Sequence, residues 1–410
     1  MQNYNYYLRK PNFIRTFAHE LQSIQEMAKE KLFKIVYCTP ALYMAGGIER
    51  VLTLKANYFA DYFGYDITII LTEGKGKPLF YQLSDKIQVI NLDLNFEEIW
   101  HHSFIKKAII YLKKQRKYKR LLTNELMQLR PDITVTLLRR EINFINEIKD
   151  GSKKIGEMHI LRSHYRNFEK NETNAFKELF SKLWNYRLIG KLKKLERMIV
   201  LTEKDSKAWT ELNNVIAIPN PLPFTPTTIS PLTEKRVIAV GRYYHEKGFD
   251  LLLEAWAKIH NAQPRWRLEI FGDGDKTMYE EIRDKLEIPT SCCKLNGRTN
   301  AIEQEYLNSS IYVCSSRFEG FGMVIVEAMA CGLPVVSFDC PWGPGSIIAN
   351  GEDGILVENG NTNLLAEAIL SLIDNSEKRN NMAKKAAQNV KRFHIDMIAE
   401  QWKNLFESLE

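Results

Sequence analysis

The sequence predicts an α/β protein built from two doubly wound parallel sheets. Short apolar runs alternate with longer segments of helical periodicity in both halves of the chain, which is typical of parallel sheets covered by helices. The length of 410 residues favours two domains over one. Five of the fourteen prolines lie between Pro219 and Pro231, and such a cluster cannot occupy a helix interior or a central strand. We therefore predict the domain boundary in this segment.

The predicted organisation has four parts. Residues 1–31 form an N-terminal helical extension, because Phe13 and Phe17 begin an apolar stripe with helical spacing. Its role is left open between packing on the first domain and contacting a membrane. The first Rossmann-like domain spans 32–219, the second spans 220–394, and residues 395–410 form a final helix.

Composition limits the classes of protein to which the chain can belong. Apolar residues make up 45% and charged residues 26% of the sequence, as in soluble globular proteins. The net charge of +7 favours an anionic partner. The sequence shows neither a bilayer-spanning apolar run nor a signal-peptide core. Six cysteines without a C-x-x-C pair indicate buried thiols in a reducing compartment, so we predict a cytoplasmic protein.

Seven apolar runs in the first half are predicted strands, and three longer amphipathic segments are predicted helices. The strands are Leu32–Tyr37, Asp66–Leu71, Lys86–Asn91, Asp132–Leu138, Lys154–His159, Met198–Leu201 and Val215–Ile218, and the helices start at Ile48, Ser103 and Ala175.

The second half repeats this alternation with six strands and five helices. The strands are Arg236–Val240, Leu268–Phe271, Lys294–Gly297, Ile311–Cys314, Val335–Phe338 and Gly354–Val357, and the helices are Phe249–Ile259, Met323–Cys331, Leu364–Ile373, Arg379–Phe393 and Asp396–Leu409.

The most informative stretch is Ser315–Val336, a strand end, a glycine loop and a helix. A helix beginning near Gly322 presents free N–H groups that suit an anion. Glu319 lies on the loop, whereas Glu327 lies among apolar helix residues, where an unpaired charge is costly. A phosphate held by the backbone and hydroxyls held by carboxylates describe a sugar nucleotide. The alternative is that Glu319 is an ordinary loop residue and Glu327 a solvated helix residue, with no shared function.

Two other loops follow predicted strands and precede helices. Gly46 and Gly47 lie in the first, although this pair alone is also common in tight turns. Arg242 and Lys247 flank the second, at the end of a strand where open α/β sheets bind ligands. Two cations beside a helix N-terminus suit a diphosphate leaving group.

The run E-G-F-G-M-V-I-V-E from Glu319 to Glu327 resembles the signature of retaining glycosyltransferase family 4, which has the GT-B fold. G-G-I-E-R after the first strand, I-P-N-P at the predicted boundary and G-R-x-x-x-x-K-G around Arg242 and Lys247 resemble further motifs of that family. The resemblance covers about 34–393. It implies two Rossmann-like domains facing a central cleft, with the last helix crossing back to the first domain.

The resemblance also implies roles for individual residues. Glu319 would contact the donor sugar, Glu327 the ribose, and Arg242 with Lys247 the diphosphate. His159, preceded by Glu157, best matches a histidine near the donor sugar and acceptor; His164 is the competitor. The implied catalytic residues are Arg242, Lys247, Glu319 and His159, and the implied donor-binding residues are Gly46, Gly47, Gly272, Asp273, Arg298, Gly320, Phe321, Gly322, Met323 and Glu327.

The predicted helix 103–130 is strongly basic, with eight lysines and arginines between Lys106 and Arg120. Interleaved apolar residues leave two interpretations, a solvated basic face or a surface for anionic lipid headgroups. Membrane-associated members of the family carry similar helices, which favours the second.

These observations predict a retaining glycosyltransferase that moves a sugar from a nucleoside diphosphate donor, a UDP-sugar, to a saccharide or lipid-linked saccharide in surface polysaccharide or glycan biosynthesis. No metal, cofactor or nucleic acid is expected. The alternatives are a sugar-nucleotide epimerase or a phosphorylase of the same fold, and a nucleotide-sugar binding protein without catalysis.

Overall fold

The computed structural model describes residues 31–101, 103–160, 162 and 175–410. The predicted extension over residues 1–31, apart from Lys31, lies outside the described residues, and so does His164.

The first half of the chain forms a parallel sheet of seven strands. Their spatial order is β3-β2-β1-β4-β5-β6-β7, and every neighbouring pair is parallel. Apolar and β-branched runs that are largely buried on both faces explain the five inner strands, whereas the edge strands β3 and β7 are partly exposed. The strands are β1 (Lys34–Thr39), β2 (Asp66–Leu71), β3 (Gln88–Asn91), β4 (Ile133–Thr136), β5 (Lys153–Glu157), β6 (Arg197–Val200) and β7 (Val215–Ala217).

Among the described residues of this half, four α-helices accompany the sheet. The first and second have apolar stripes with helical spacing, as the sequence predicts. The fourth is a single short segment that periodicity did not indicate. They are α1 (Gly47–Asp61), α2 (Phe104–Leu129), α3 (Ala175–Leu192) and α4 (Glu203–Ala208).

The second half forms a parallel sheet of six strands in the order β10-β9-β8-β11-β12-β13. Again, every neighbouring pair is parallel. The predicted strands of this half are all present. They are β8 (Arg236–Val240), β9 (Arg267–Phe271), β10 (Cys293–Asn296), β11 (Ile311–Cys314), β12 (Val335–Phe338) and β13 (Gly354–Val357).

Eight helices belong to this half or follow it. Three short ones, α6, α7 and α9, were not predicted, because α6 and α7 each bury a single residue and α9 is only four residues long. The helices are α5 (Phe249–Ala262), α6 (Thr277–Lys285), α7 (Ile302–Leu307), α8 (Met323–Ala330), α9 (Pro344–Ile347), α10 (Thr362–Asp374), α11 (Ser376–Asn389) and α12 (Ile395–Glu407).

Both sheets reverse their winding next to the first strand of each half. In the seven-stranded sheet the reversal lies between β1 and β4, and in the six-stranded sheet between β8 and β11. Beyond the carboxyl ends of the strands, such a reversal opens a crevice where α/β proteins bind ligands. The topology therefore singles out the loops after β1, β4, β8 and β11.

One hydrophobic cluster extends through both halves. It contains Ile35 and Phe59 from the first half, Ile325 and Val335 from the second, and Trp402 of α12. Helix α12 packs against α1, so the end of the chain lies on the first half. None of the described helices combines the length and the apolar character that a bilayer span requires.

Candidate functional site

The residues predicted from the second half lie at one edge of the six-stranded sheet. Because its strands are parallel, the segments after β8, β9, β10 and β11 all leave the sheet at that edge. The order of the strands brings the loops after β8 and β11 side by side. The predicted residues at this edge are Arg242 and Lys247 after β8, Gly272 and Asp273 after β9, Arg298 after β10, and Glu319, Gly320, Phe321, Gly322 and Met323 after β11.

Lys247 and Glu319 form the central ion pair of this edge. The Lys247 ammonium lies 2.5 Å from Glu319 Oε1, and the Ser316 hydroxyl donates to the same oxygen at 2.6 Å. Burial acts to lower the pKa of Lys247, but the Glu319 carboxylate outweighs burial, so the lysine pKa is raised. The pair therefore keeps a positive charge in a fixed place beside the switch point.

Arg242 adds a second cation to this loop. Its exposed guanidinium lies 4.9 Å from the ring centroid of Tyr244. Its charge also opposes that of Lys247, acting to lower the lysine pKa. Two like charges without a ligand between them disfavour each other, so the loop suits an anion that bridges them.

Two glycines allow the loops around these cations to pack closely. Gly248 has φ of 62°, and a Cβ atom there would overlap with the carbonyl oxygen of Ser315. A Cβ atom on Gly272 would overlap with the carbonyl oxygen of Gly241. The Ser315 hydroxyl also donates to the Lys247 carbonyl at 2.9 Å. The backbone itself therefore fixes where the Lys247 side chain begins.

Helix α8 begins directly after the loop of Glu319, at the same edge of the sheet. Its N-cap, Gly322, has φ of 97° and offers no side chain to the first N–H groups of the helix. Phe321 holds the preceding loop in place by edge-to-face packing on Phe393, at 5.5 Å between ring centroids. The uncapped N-terminus leaves donors for an anion, as the sequence predicts.

Glu327 lies inside α8 and is 6% exposed. Its Oε1 accepts from Arg50 at 3.2 Å and its Oε2 accepts from the Tyr306 hydroxyl at 3.1 Å. Burial raises the pKa of Glu327, although Arg50 and Tyr306 act in the opposite direction. Arg50 belongs to α1, so this contact crosses from one half of the protein to the other and closes the cleft at this depth.

His159 belongs to the first half and lies next to the loop that carries Glu319. It follows β5, and its side chain is 5% exposed. Its Nε2 lies 3.1 Å from Glu157 Oε1. The His159 carbonyl oxygen lies 3.5 Å from the position of a Cβ atom on Gly320. The loop carrying Glu319 therefore approaches the loop carrying His159 closely.

The remaining predicted residues differ in what they contact. Gly46 precedes α1 and Gly47 begins it, one turn before Arg50. The Arg298 guanidinium lies 5.2 Å from the ring centroid of Phe80, in the segment after β2. The Asp273 carboxylate instead accepts from the N–H of Gly274 at 2.9 Å, so this side chain shapes its own turn.

Sequence reasoning missed three residues that hold the predicted carboxylates. Arg50 stands in the quoted G-G-I-E-R run, yet only its position in space shows that it reaches Glu327. Tyr306 precedes Glu327 by 21 residues, a separation at which no local pattern indicates contact. The contact of Ser316 with Glu319 was predictable, because the two residues are three positions apart in the same loop.

Comparison with known proteins agrees with this geometry. The family model described as "Glycosyl transferases group 1" matches residues 226–389. An uncharacterized glycosyltransferase of Haemophilus influenzae is 31% identical over 368 residues, which cover 88% of this chain and 96% of that protein. The poly(ribitol-phosphate) alpha-N-acetylglucosaminyltransferase of Staphylococcus aureus is 31% identical over 265 residues, covering 63% of this chain and 51% of that protein.

The fold is also similar to that of a solved structure. S. aureus TarM, crystallised as a variant with Fondaparinux, alpha-GlcNAc-glycerol and UDP, superposes with a TM-score of 0.69 at 18% identity. The match covers 91% of this chain and 99% of that one. From the near full-length relative, the family model and the two facing parallel sheets together, we conclude that this chain belongs to the group 1 glycosyl transferases and is an enzyme with the GT-B fold.

Proposed function

We propose that this glycosyltransferase moves a sugar from a nucleoside diphosphate donor, a UDP-sugar, to a hydroxyl of a saccharide or lipid-linked saccharide, with retention of configuration as in family 4. The observation that carries the proposal is the partly buried pairing of Lys247 with Glu319, next to Arg242, at the switch point of the second sheet. This arrangement supplies fixed positive charge where a diphosphate leaves.

In this mechanism the chain mainly stabilises the departing diphosphate. Lys247 and Arg242 offset the negative charge that grows as the bond from the sugar to the phosphate breaks. The free N–H groups at the start of α8 add a partial positive charge. Glu319 keeps the ammonium in position before the donor arrives, so the lysine does not need to reorganise during the reaction.

The two glutamates contact different groups of the donor. Glu319 contacts hydroxyls of the sugar, and Glu327 accepts hydrogen bonds from the ribose. Arg50 and Tyr306 hold the Glu327 carboxylate and oppose the rise in pKa that its burial causes. A carboxylate that already binds a guanidinium and a hydroxyl is held in place to accept further hydrogen bonds from hydroxyl groups.

In this mechanism the first half of the chain binds the acceptor. His159 lies beside the loop of Glu319, where the reacting carbon of the sugar would stand. Closure of the cleft around both substrates orients the acceptor hydroxyl and removes water that would otherwise hydrolyse the donor. The proposal needs neither a cofactor nor a metal ion, and activity retained in EDTA is its direct check.

Similar proteins support the substrate classes. The S. aureus relative is named for a poly(ribitol-phosphate) acceptor and an alpha-linked N-acetylglucosaminyl product, and the TarM structure contains UDP and alpha-GlcNAc-glycerol. We extend to this chain the coarser features, a UDP-sugar donor and a cell-surface saccharide acceptor. The reaction would occur in the cytoplasm, which agrees with six cysteines that are all buried and unpaired.

A membrane surface is the proposed location of the acceptor. Helix α2 exposes Ile105, Ile109 and Leu112, with 75%, 50% and 56% of each side chain accessible. These positions share one face of the helix. Exposed lysines and arginines flank them, as in helices that lie on anionic lipid; the exposed basic residues are Lys106, Lys113, Arg116, Lys117, Lys119 and Arg120.

The proposal is tested by sugar transfer from UDP-, GDP- and ADP-sugars to a panel of saccharide and lipid-linked acceptors. Lys247→Ala removes the fixed cation, so we expect kcat to fall at least about tenfold. Lys258→Ala, which removes the same charge from the exposed face of α5, serves as the matched control and should retain full turnover.

Three outcomes would contradict the proposal. Unchanged turnover in Lys247→Ala would remove the diphosphate role. Conversion of the donor without any acceptor would instead indicate an epimerase, and consumption of inorganic phosphate a phosphorylase. Donor binding without turnover over the whole acceptor panel would favour a binding protein.

A further inference from the structure

Behind His159 lies a buried ionic network that the proposed chemistry does not use. The Lys55 ammonium of α1 contacts Glu157 Oε1 at the end of β5, and their side chains are 1% and 2% exposed. The His159 imidazole approaches the same carboxylate oxygen through Nε2 at 3.1 Å. One buried oxygen therefore joins a lysine from a helix to the histidine at the cleft.

The surroundings of this network shield it from solvent. The ring of Trp402 on α12 covers the Lys55 ammonium, with its centroid 4.2 Å away. Burial acts to raise the pKa of Glu157, but Lys55 and His159 outweigh it and lower that pKa to about 2. Glu157 is therefore ionised at neutral pH, without water around it.

A buried ion pair contributes little net stability to a fold, because the loss of hydration offsets the attraction between the charges. Removing two charges from water costs several kcal/mol for each ion, and apolar residues of similar size often stabilise a core as well or better. Around this pair, Glu157 Oε2, the Tyr37 hydroxyl and His159 Nε2 are buried without hydrogen-bond partners among the described residues, so the 3.1 Å approach of the imidazole to Glu157 is an electrostatic contact. Packing alone gives no reason for this arrangement.

The geometry gives the network a different use. A carboxylate next to one ring nitrogen of a histidine fixes both the ring orientation and the nitrogen that carries the proton. The carboxylate of Glu157 lies beside Nε2 and so favours the tautomer with the proton on that nitrogen, which leaves Nδ1 as the acceptor. The backbone of His159 is already held close to Gly320, so the side chain is the part that still needs fixing.

We infer that Lys55 and Glu157 are positioning residues, which hold the His159 imidazole in one orientation and one tautomer for the sugar-transfer step. Lys55 fixes the carboxylate of Glu157, and Glu157 fixes the ring. The inference rests on the proposed function, in which His159 faces the donor sugar. It assigns neither residue a contact with substrate, and Trp402 serves only to shield the ammonium.

The first test is the substitution Lys55→Met, which keeps the length of the side chain and removes its charge. A histidine that is poorly oriented affects the chemical step more than donor binding. We expect kcat to fall at least about tenfold and the donor KM to stay within about threefold, at a temperature where circular dichroism shows the variant folded.

Lys154→Met is the matched control. Lys154 is also a buried lysine of this sheet, lies in the same strand as Glu157, and pairs with Asp150. The thermal stability of this variant should fall as well, because Asp150 loses its partner, yet its kcat should match that of the wild type. Equal loss of kcat in both variants would mean that Lys55 acts only through stability and would overturn the inference.

The double variant Lys55→Met with Glu157→Gln distinguishes a positioning role of these two residues from a role in stability alone. Neutralising both partners removes the unpaired charge, so its melting temperature should recover relative to the single variants. We expect kcat to stay low, because the glutamine cannot hold the imidazole as a carboxylate does. Recovery of kcat together with stability would overturn the inference.

A measurement without turnover completes the test. In protein labelled with 15N-histidine, and with the His159 signal assigned through His159→Gln, the ring should carry its proton on Nε2 in the wild type and lose this preference in Glu157→Gln. An unchanged tautomer would contradict the positioning role even if the proposed reaction is correct. Conversely, a fixed tautomer in a protein that transfers no sugar would refute the proposed function alone.

Discussion

At the scale of single residues, the site depends on where the backbone allows close approach. Gly248 adopts a left-handed conformation between Lys247 and α5, and it lies against the Ser315 carbonyl. A side chain at this position would push apart the loops that carry Lys247 and Glu319. Sequence reasoning identified the lysine and the glutamate, while the reason for the adjacent glycine is visible only in the contact between the two loops.

Gly248→Ala should therefore weaken both stability and donor binding. The left-handed conformation costs a residue with a Cβ atom about 1 kcal/mol, and relief of the overlap adds to this cost. We expect the free energy of unfolding to fall by at least about 1 kcal/mol, and UDP affinity to fall about tenfold in calorimetry.

Gly190→Ala is the corresponding control, because Gly190 is an exposed residue of α3 with open space around the position of a Cβ atom. It should leave UDP affinity unchanged and raise the stability of the helix by up to about 1 kcal/mol. Equal UDP affinity in Gly248→Ala and the wild type would show that the close approach of the two loops is not needed for binding.

At the scale of elements, long apolar runs were predictable and short polar helices were not. Strand β12 is buried throughout and β2 is buried except at Asp66, so their composition alone identifies them. Helix α6 has only Tyr279 buried, and α7 only Tyr306. One buried residue creates no period, and the tertiary contacts that stabilise these helices cannot be read from neighbouring positions.

Helix α2 provides the prediction at this scale. Wild-type protein should sediment with vesicles containing phosphatidylglycerol at low salt, because apolar side chains insert while basic residues attract the headgroups. Ile109→Glu with Leu112→Glu should reduce the bound fraction at least about threefold, since it removes apolar area and adds charge repulsion.

The control for this helix is Leu183→Glu, which makes the same kind of change at an exposed apolar residue of α3. Its bound fraction should equal that of the wild type, and high salt should release both proteins. If all three proteins bind vesicles equally, or none binds, α2 is a solvated basic face.

At the scale of the whole molecule, the two halves meet through contacts that no local sequence pattern specifies. Arg50 and Glu327 are 277 positions apart, and Arg298 contacts Phe80 from the opposite half. The two doubly wound sheets were predictable from the alternation of strands and helices, whereas the order of the strands was not predicted. How far the cleft closes over Glu327 depends on the packing of both halves, which α12 joins by contacting α1.

The central claim is that the cleft binds its ligand chiefly through two linked phosphates held by Lys247 and Arg242. The most direct measurement compares the affinities of uridine, UMP and UDP for the wild-type protein by calorimetry. Charge-assisted hydrogen bonds to the phosphates contribute about 1.5–3 kcal/mol each, so we predict that UDP binds at least about 100-fold more tightly than uridine. Equal affinities along the series would contradict the claim.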